Sequence, residues 1–203
     1  MLTEEPVSAK GRRTRARLVG LGVRHFGDLG FKATSVSALA REAGLTPPAA
    51  YAYFPDKRAL WRAALHQDLD SILAVVGPRA LASGRPFLGL MQGLTEELPR
   101  HPLARRVMEE GSAEDLRLVL EHPLFVTPMS LIAAGLRARQ AAGQIDPTVD
   151  AEQMALGYQT VMFSLVLSTV RAGLDGDPAR VDAVVTLLQQ AGGGAPTTEE
   201  RPQ

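Results

Sequence analysis

Cysteine is absent from the 203 residues, which excludes disulfides, thiol nucleophiles and thiolate metal sites. Aromatic side chains are scarce, at 5% with a single tryptophan, and lysine occurs only at positions 10, 32 and 57. Net charge is lacking too, because 22 Lys+Arg balance 22 Asp+Glu. No stretch alternates polar and apolar residues for long enough to make a convincing strand. The chain opens without an apolar run and carries Glu4 and Glu5 there, so no signal peptide is expected. The absence of cysteine and of a leader fits a cytoplasmic protein. The four histidines, His25, His66, His101 and His122, are dispersed and share no ligand spacing with each other or with carboxylate pairs. His25 falls on an apolar stripe and reads as a packed core residue, while His101 and His122 each precede a proline and read as helix boundaries. There is no Gly-x-Ser-x-Gly elbow, no phosphate-cradling loop and no zinc-protease helix. Gly20-Leu21-Gly22 begins like a dinucleotide loop but lacks the third glycine and a preceding strand. No catalytic residue, metal or cofactor is expected.

What is present points to helix. Alanine, leucine, glycine and arginine dominate, and 45% of the residues are hydrophobic against 22% charged, an ordinary globular balance. The neutral total hides an asymmetry. Residues 10–60 hold ten basic side chains against three acidic ones, a local charge of +7, whereas residues 61–203 sum to −5. A basic head on an acidic body suits a polyanionic partner, although a solvated surface would give the same count. Leu18, Leu21, Gly22, His25, Phe26 and Leu29 recur at the spacing of one helix face, and Gly30 stands where a left-handed residue ends a helix. Thr46-Pro47, Thr127-Pro128 and Asp177-Pro178 read as helix starts, as do Asp56 before Lys57 and Asp150 with Gln153. Stops are expected at Gly77-Pro78, Gly111, His122-Pro123, Gly143 and Gly173. The reading is an all-α chain of eight to ten helices. Residues 1–10 and 192–203 read as disordered tails, residues 11–56 as one domain and residues 57–191 as a second. Residues 153–170 carry no charge, close to the length of a membrane span. Tyr158, Gln159, Thr160, Ser164 and Ser168 interrupt that stretch, so it reads as a helix packed in a bundle or at a subunit interface, and no membrane partner is expected.

The most informative segment runs from Thr34 to Phe54. It reads as a short helix from Val36 to Ala43, a break at Gly44, and a second helix from Pro47 to Phe54. Ala40 is small where two helices must approach, and Gly44 can take the positive φ of a tight turn. Leu39, Ala43, Leu45, Ala50 and Tyr53 supply apolar contacts between them. This is the helix-turn-helix pattern, whose second helix enters the DNA major groove.

At this point the chain resembles the TetR family of bacterial transcriptional regulators. The resemblance rests on basic residues before the first helix, then Phe26, Gly30-Phe31, Thr34-Ser35-Val36, Leu39-Ala40, Ala43-Gly44-Leu45-Thr46, Tyr51, Tyr53-Phe54, Lys57 and Leu60. It covers residues 12–61; beyond them it is architectural only. It implies a homodimer that binds a palindromic double-stranded operator and releases it when a small molecule binds the C-terminal domain. It also implies that Ser35 and Thr46 cap helices and meet phosphates, and that Pro47, Pro48, Ala49 and Ala52 face the groove. Tyr51, Tyr53 and Lys57 would reach phosphates, with Arg41 adding contacts from the helix before, and Arg12, Arg13 and Arg15 would form an arm that contacts the DNA backbone or enters the minor groove. For Tyr53 a core role, and for Lys57 a free surface role, stay open. Two departures stand out: Gly20, Gly22 and Gly27 inside the first helix, each expected to cost about 0.5–1 kcal/mol, and Ala50 where a larger apolar residue is usual.

Trp61, Met91, Leu94, Met108, Phe125, Met129, Tyr158, Met162 and Phe163 are candidate lining residues for an effector pocket, with core packing as the other reading. Flexible methionines suit an adaptable pocket, and the sparse charge suits a mostly apolar effector. Two other functions fit the sequence: a DNA-binding protein without a small-molecule effector, and an all-α enzyme or carrier.

Overall fold

The computed structural model describes residues 8–83 and 86–172, together with Ala179, Ala183 and Thr186. Among them the chain is all-α, with nine α-helices and one 3₁₀ turn. The helices are α1 (Ala9–Ala33), α2 (Val36–Glu42), α3 (Pro47–Tyr51), α4 (Lys57–Ala82), α5 (Pro86–Glu97), α6 (Pro102–Glu110), α7 (Ala113–Leu120), α8 (Pro123–Ala141) and α9 (Ala151–Ala172), with the 3₁₀ turn at Leu98–Arg100. The chain divides into two compact units, Met1–Leu124 and Phe125–Gln203. No single helix among the described residues is long and apolar enough to cross a membrane.

In the first unit, α1 and α4 are the long members, and their facing stripes make the core. Leu18, Phe26, Leu39, Leu60, Leu65 and Ile72 are essentially inaccessible. Trp61 of α4 stands edge-on to both Phe26 and Phe31, at 5.2 and 5.4 Å between ring centres. The glycines of α1 are explained by helix contact rather than by weakness. A Cβ on Gly27 would lie 2.6 Å from Cβ of Pro102 in α6, and one on Gly22 would lie 3.2 Å from Cβ of Ala64 in α4. Only Gly20 faces room, with the end of Gln67 3.9 Å away. The expected cost therefore applies at Gly20, while Gly22 and Gly27 let α1 approach its neighbours closely.

Three polar ties fix the first unit. Asp68 is buried on α4 and accepts from His101 Nδ1 at 2.8 Å and from the Ala104 backbone N–H at 2.9 Å, which caps α6. Arg106 of α6 donates to the carbonyls of Gly27 (2.6 Å) and Asp28 (3.1 Å) near the end of α1. Asp115 accepts from Trp61 Nε1 at 2.9 Å, pairs with Arg58 at 2.9 Å, and closes a capping box with Ser112 at the start of α7.

In the second unit, Leu136, Ile145 and Ala151 form a small core backed by Ile132, Val149 and Met154. Gln140 donates to the carbonyls of Asp146 and Val149, holding the turn after α8, where Gly143 takes a φ of 70°. Asp150 caps α9 by accepting from the N–H groups of Glu152 and Gln153, both at 3.0 Å.

Several expectations need correction. The α4 helix continues through Gly77-Pro78 to Ala82. Pro78 and Ala74 both lie on its exposed side, so the Ala74 carbonyl that loses its donor faces solvent rather than the core. Pro128 starts no helix, since α8 begins at Pro123 and runs through it. Leu29 is 54% exposed at the edge of its stripe rather than in the core. His25 is not packed in the core either; it bonds Glu42 at the surface. The helix starting at Asp177-Pro178, the stop at Gly173 and the tail 192–203 lie outside the described residues, apart from the three isolated positions.

Candidate nucleic-acid interface and effector-lining residues

The turn between α2 and α3 is built as the sequence demands. Gly44 has a φ of 72°. Its N–H donates to the Arg41 carbonyl at 3.0 Å, and the Leu45 N–H donates to that of Ala40 at 2.8 Å. Those two bonds are a Schellman end. Leu39, Ala40, Ala43 and Ala50 are buried behind the turn. The second helix is one turn shorter than expected, ending at Tyr51 rather than Phe54, with Phe54 buried after it.

A polar clamp sets α2 against α1. Glu42 accepts from Arg24 at 2.9 Å and from His25 Nε2 at 2.7 Å, while its backbone carbonyl accepts from Arg17 at 3.1 Å. The hydrogen bond from His25, aided by the charges of His25 and Arg24, holds the Glu42 carboxyl below the ordinary glutamate value. The sequence contains every member of this clamp, but nothing in the spacing of His25 and Glu42 announces it.

Of the expected DNA-contacting residues, Arg12, Arg13, Ser35, Arg41, Thr46, Pro48, Tyr51 and Ala52 are exposed, and Arg15, Pro47, Ala49, Tyr53 and Lys57 are half-buried. Ser35 caps α2 through its hydroxyl, which accepts from Ala38 N–H at 3.4 Å. Thr46 does not cap α3 with its side chain, a correction with a simple cause. Pro47 and Pro48 remove the first two donors of the helix, and the Ala49 N–H bonds the Thr46 carbonyl instead, at 3.0 Å. Three of the cations are held in place. Arg15 lies 5.1 Å from the centre of the Phe54 ring, Arg41 Nε donates to the Ser37 carbonyl at 3.2 Å, and Lys57 donates to the Lys32 carbonyl at 3.1 Å. Lys57 Nζ also lies 4.8 Å from the Phe31 ring centre. Asp56 caps α4 beside it, accepting from Ala59 N–H at 2.7 Å.

The candidate lining residues fall into two groups. In the first unit Trp61, Met91, Leu94 and Met108 are buried, but Trp61 is committed to Phe26, Phe31 and Asp115. In the second unit Phe125, Met129, Met162 and Phe163 are buried and Tyr158 half-buried; Phe125 and Phe163 meet edge-on at 5.7 Å. Burial raises the Tyr158 phenol above its ordinary value, partly offset by the charge of Arg139. The buried polar residues Asp68 and Asp115 escaped the sequence reading, although Asp68 interrupts the apolar run Ala64, Leu65, Leu69 and Ile72; His122 stands at a helix boundary as expected but is also buried. Among the described residues no three metal-ligating side chains form a cluster that could hold an ion.

Comparison with known proteins agrees with this geometry. The family description "Bacterial regulatory proteins, tetR family" matches residues 19–64, from within α1 into α4. The HTH-type transcriptional regulator UidR of Escherichia coli K12 is 25% identical over 149 residues, covering 71% of this chain and 75% of that protein. Among solved structures, the fatty acid degradation regulator FadR from Bacillus halodurans shares the fold with a TM-score of 0.61 at 15% identity, over 93% of this chain and 97% of that one. A tetR-family regulatory protein from Rhodococcus RHA1 does so with a TM-score of 0.55 at 20% identity, over 91% and 99% of the two chains. The basic head, its helix-turn-helix and the helical body are thus similar to those of the TetR family of transcriptional regulators, which act by binding DNA rather than by catalysis.

Proposed function

We propose that the chain is a repressor that binds a palindromic operator as a homodimer and is released by a small, mostly apolar effector. In this reading residues 11–56 contact DNA and residues 57–191 dimerise and take the effector. The observation that carries the DNA reading is the exposed surface of α3 and its flanks. It offers Pro48 and Ala52 for the groove, a Thr46 hydroxyl not used for capping, and Tyr51 at 47% exposure. No arginine, asparagine or glutamine on α3 can grip a base with two hydrogen bonds. Base preference then rests on thymine methyls against Ala49 and Ala52 and on DNA shape, and affinity rests on phosphates. Arg12, Arg13, Arg15, Ser35, Arg41, Tyr51, Tyr53 and Lys57 are the phosphate-side contacts of this proposal.

The dimer is supported by α9. Gln153, Leu156, Gly157, Thr160, Ser164 and Ser168 form an exposed face, with Leu156 at 60% exposure and open space over Gly157. A neutral face with a protruding leucine is costly to leave in water and suits a second copy. The effector reading is supported by the buried methionines and aromatics of both units, whose flexible thioethers can repack around a guest.

Replacing each operator thymine opposite Ala49 or Ala52 by uracil removes only a methyl group. The proposal expects weaker binding at one or more of these positions, and unchanged affinity at all of them would refute methyl readout.

A further inference from the structure

A cleft of about 460 Å³ opens between α1 and α4 within the first unit, and none of the candidate effector-lining residues lines it. The two helices come close at Gly22 and Ala64, while over Gly20 the nearest side chain is the tip of Gln67. One wall carries Arg12, Arg15 and Val19, and the other carries Arg62, Ala63, His66 and Gln67. On α1 these positions repeat at helical spacing, so one face presents guanidiniums above an apolar floor completed by Ala16. Arg15 makes no ion pair among the described residues; its guanidinium is held over Phe54, preorganised rather than neutralised. Arg62 pairs with Glu114 at 2.6 Å.

The far end has the opposite character. Asp70 lines it and accepts from Nε2 of the buried His122 at 3.2 Å, while the other nitrogen of that ring accepts from Leu124 N–H. With Nδ1 used as an acceptor, His122 is the neutral tautomer and does not cancel the Asp70 charge. The cleft is therefore polarised, cationic at Arg15 and anionic at Asp70, with Ala16, Val19 and Ala63 as an apolar floor and His66 and Gln67 on the α4 wall between them. Its volume matches that of small-molecule sites.

We infer that the cleft between α1 and α4 is a second small-molecule site, which takes an organic anion with a compact apolar body and one carboxylate. The carboxylate lies against Arg15 and Arg12, and the body lies over Ala16, Val19 and Ala63. A second consequence rests on the proposed DNA arm: the ligand and the operator backbone compete for the same two guanidiniums, so occupancy weakens DNA binding without any movement of the body.

The test follows the methyl signals of Ala16, Val19 and Ala63 in the full-length protein during titration with 2-naphthoate and, separately, with its neutral amide. Saturable shifts with the acid, and much weaker ones with the amide, are expected. Ala63→Trp fills the floor and should abolish them, its fold being checked by its unfolding temperature. Gln67→Glu, at an exposed position, sets a like charge beside the ligand and should weaken binding about tenfold. Equal response to acid and amide, shifts insensitive to both variants, or shifts confined to Met129 and Met162 would overturn the site. Saturable binding that leaves operator affinity unchanged would keep the site and overturn the competition.

Discussion

At the scale of the residue, Glu42 and Asp68 show two ways in which a carboxylate holds this fold. Glu42 is at the surface, and its value is positional: it sets the angle of α2 and hence of α3. Its pKa is lowered on folding, so the clamp is fully present above the ordinary glutamate value and is lost as pH falls through the lower, folded value. Glu42→Gln should weaken operator binding while leaving the body intact, measured by anisotropy alongside the unfolding temperature; unchanged binding would show that the clamp is dispensable. Asp68 is buried, and removing it strands two donors, on His101 and Ala104. Asp68→Ala should cost about 2 kcal/mol, a fall of roughly 4–8 °C in the unfolding temperature for a chain of this size. Neither role was legible beforehand. Periodicity shows which face a residue occupies, and a pairing between residues 17 or more positions apart depends on how the helices cross.

At the scale of the element, the glycines of α1 separate propensity from packing. Gly20→Ala should stabilise the protein by about 0.5–1 kcal/mol, because a methyl there meets only the tip of Gln67. Gly27→Ala adds the same helical preference but drives a Cβ into Pro102, and should destabilise by about 1–3 kcal/mol. Urea unfolding of the two variants gives the signs, and a stabilised Gly27→Ala would mean that α1 and α6 are not held at this distance. The short elements were the most legible. The Gly44 turn, the Ser35 cap and the Asp56 and Asp150 starts are local chemistry, and local chemistry is written in consecutive residues. The misread elements were those where a long-range face overrode punctuation. Pro78 and Pro128 sit inside helices because the apolar contacts of α4 and α8 continue past them, as Val76, Ala80, Met129 and Ala133 are all buried.

At the scale of the whole molecule, the charge asymmetry and the helix-turn-helix made the DNA-binding class legible, while the proposed pairing of copies and effector pocket would depend on surfaces that no motif encodes. Binding that rests on phosphates should be steeply salt-dependent. Lys57→Ala, applied to both subunits of a dimer, should lower the magnitude of the log–log salt slope by about 2, with little change in sequence preference. A slope that does not move would place Lys57 off the backbone, committed to Lys32 and Phe31. Charging the open face of α9 by Leu156→Glu should turn a dimer into a monomer in sedimentation and remove operator binding with it. A wild-type protein that sediments as a monomer at micromolar concentration would refute the dimer outright.

Selection of bound duplexes from a random-sequence pool by the purified full-length protein, followed by sequencing, tests the central claim most directly. A homodimer reading DNA through α3 predicts enrichment of an inverted repeat, its half-sites about 10–10.5 base pairs apart centre to centre or more widely spaced. Enrichment of a single unrepeated site, or none at all over the input pool, would contradict it.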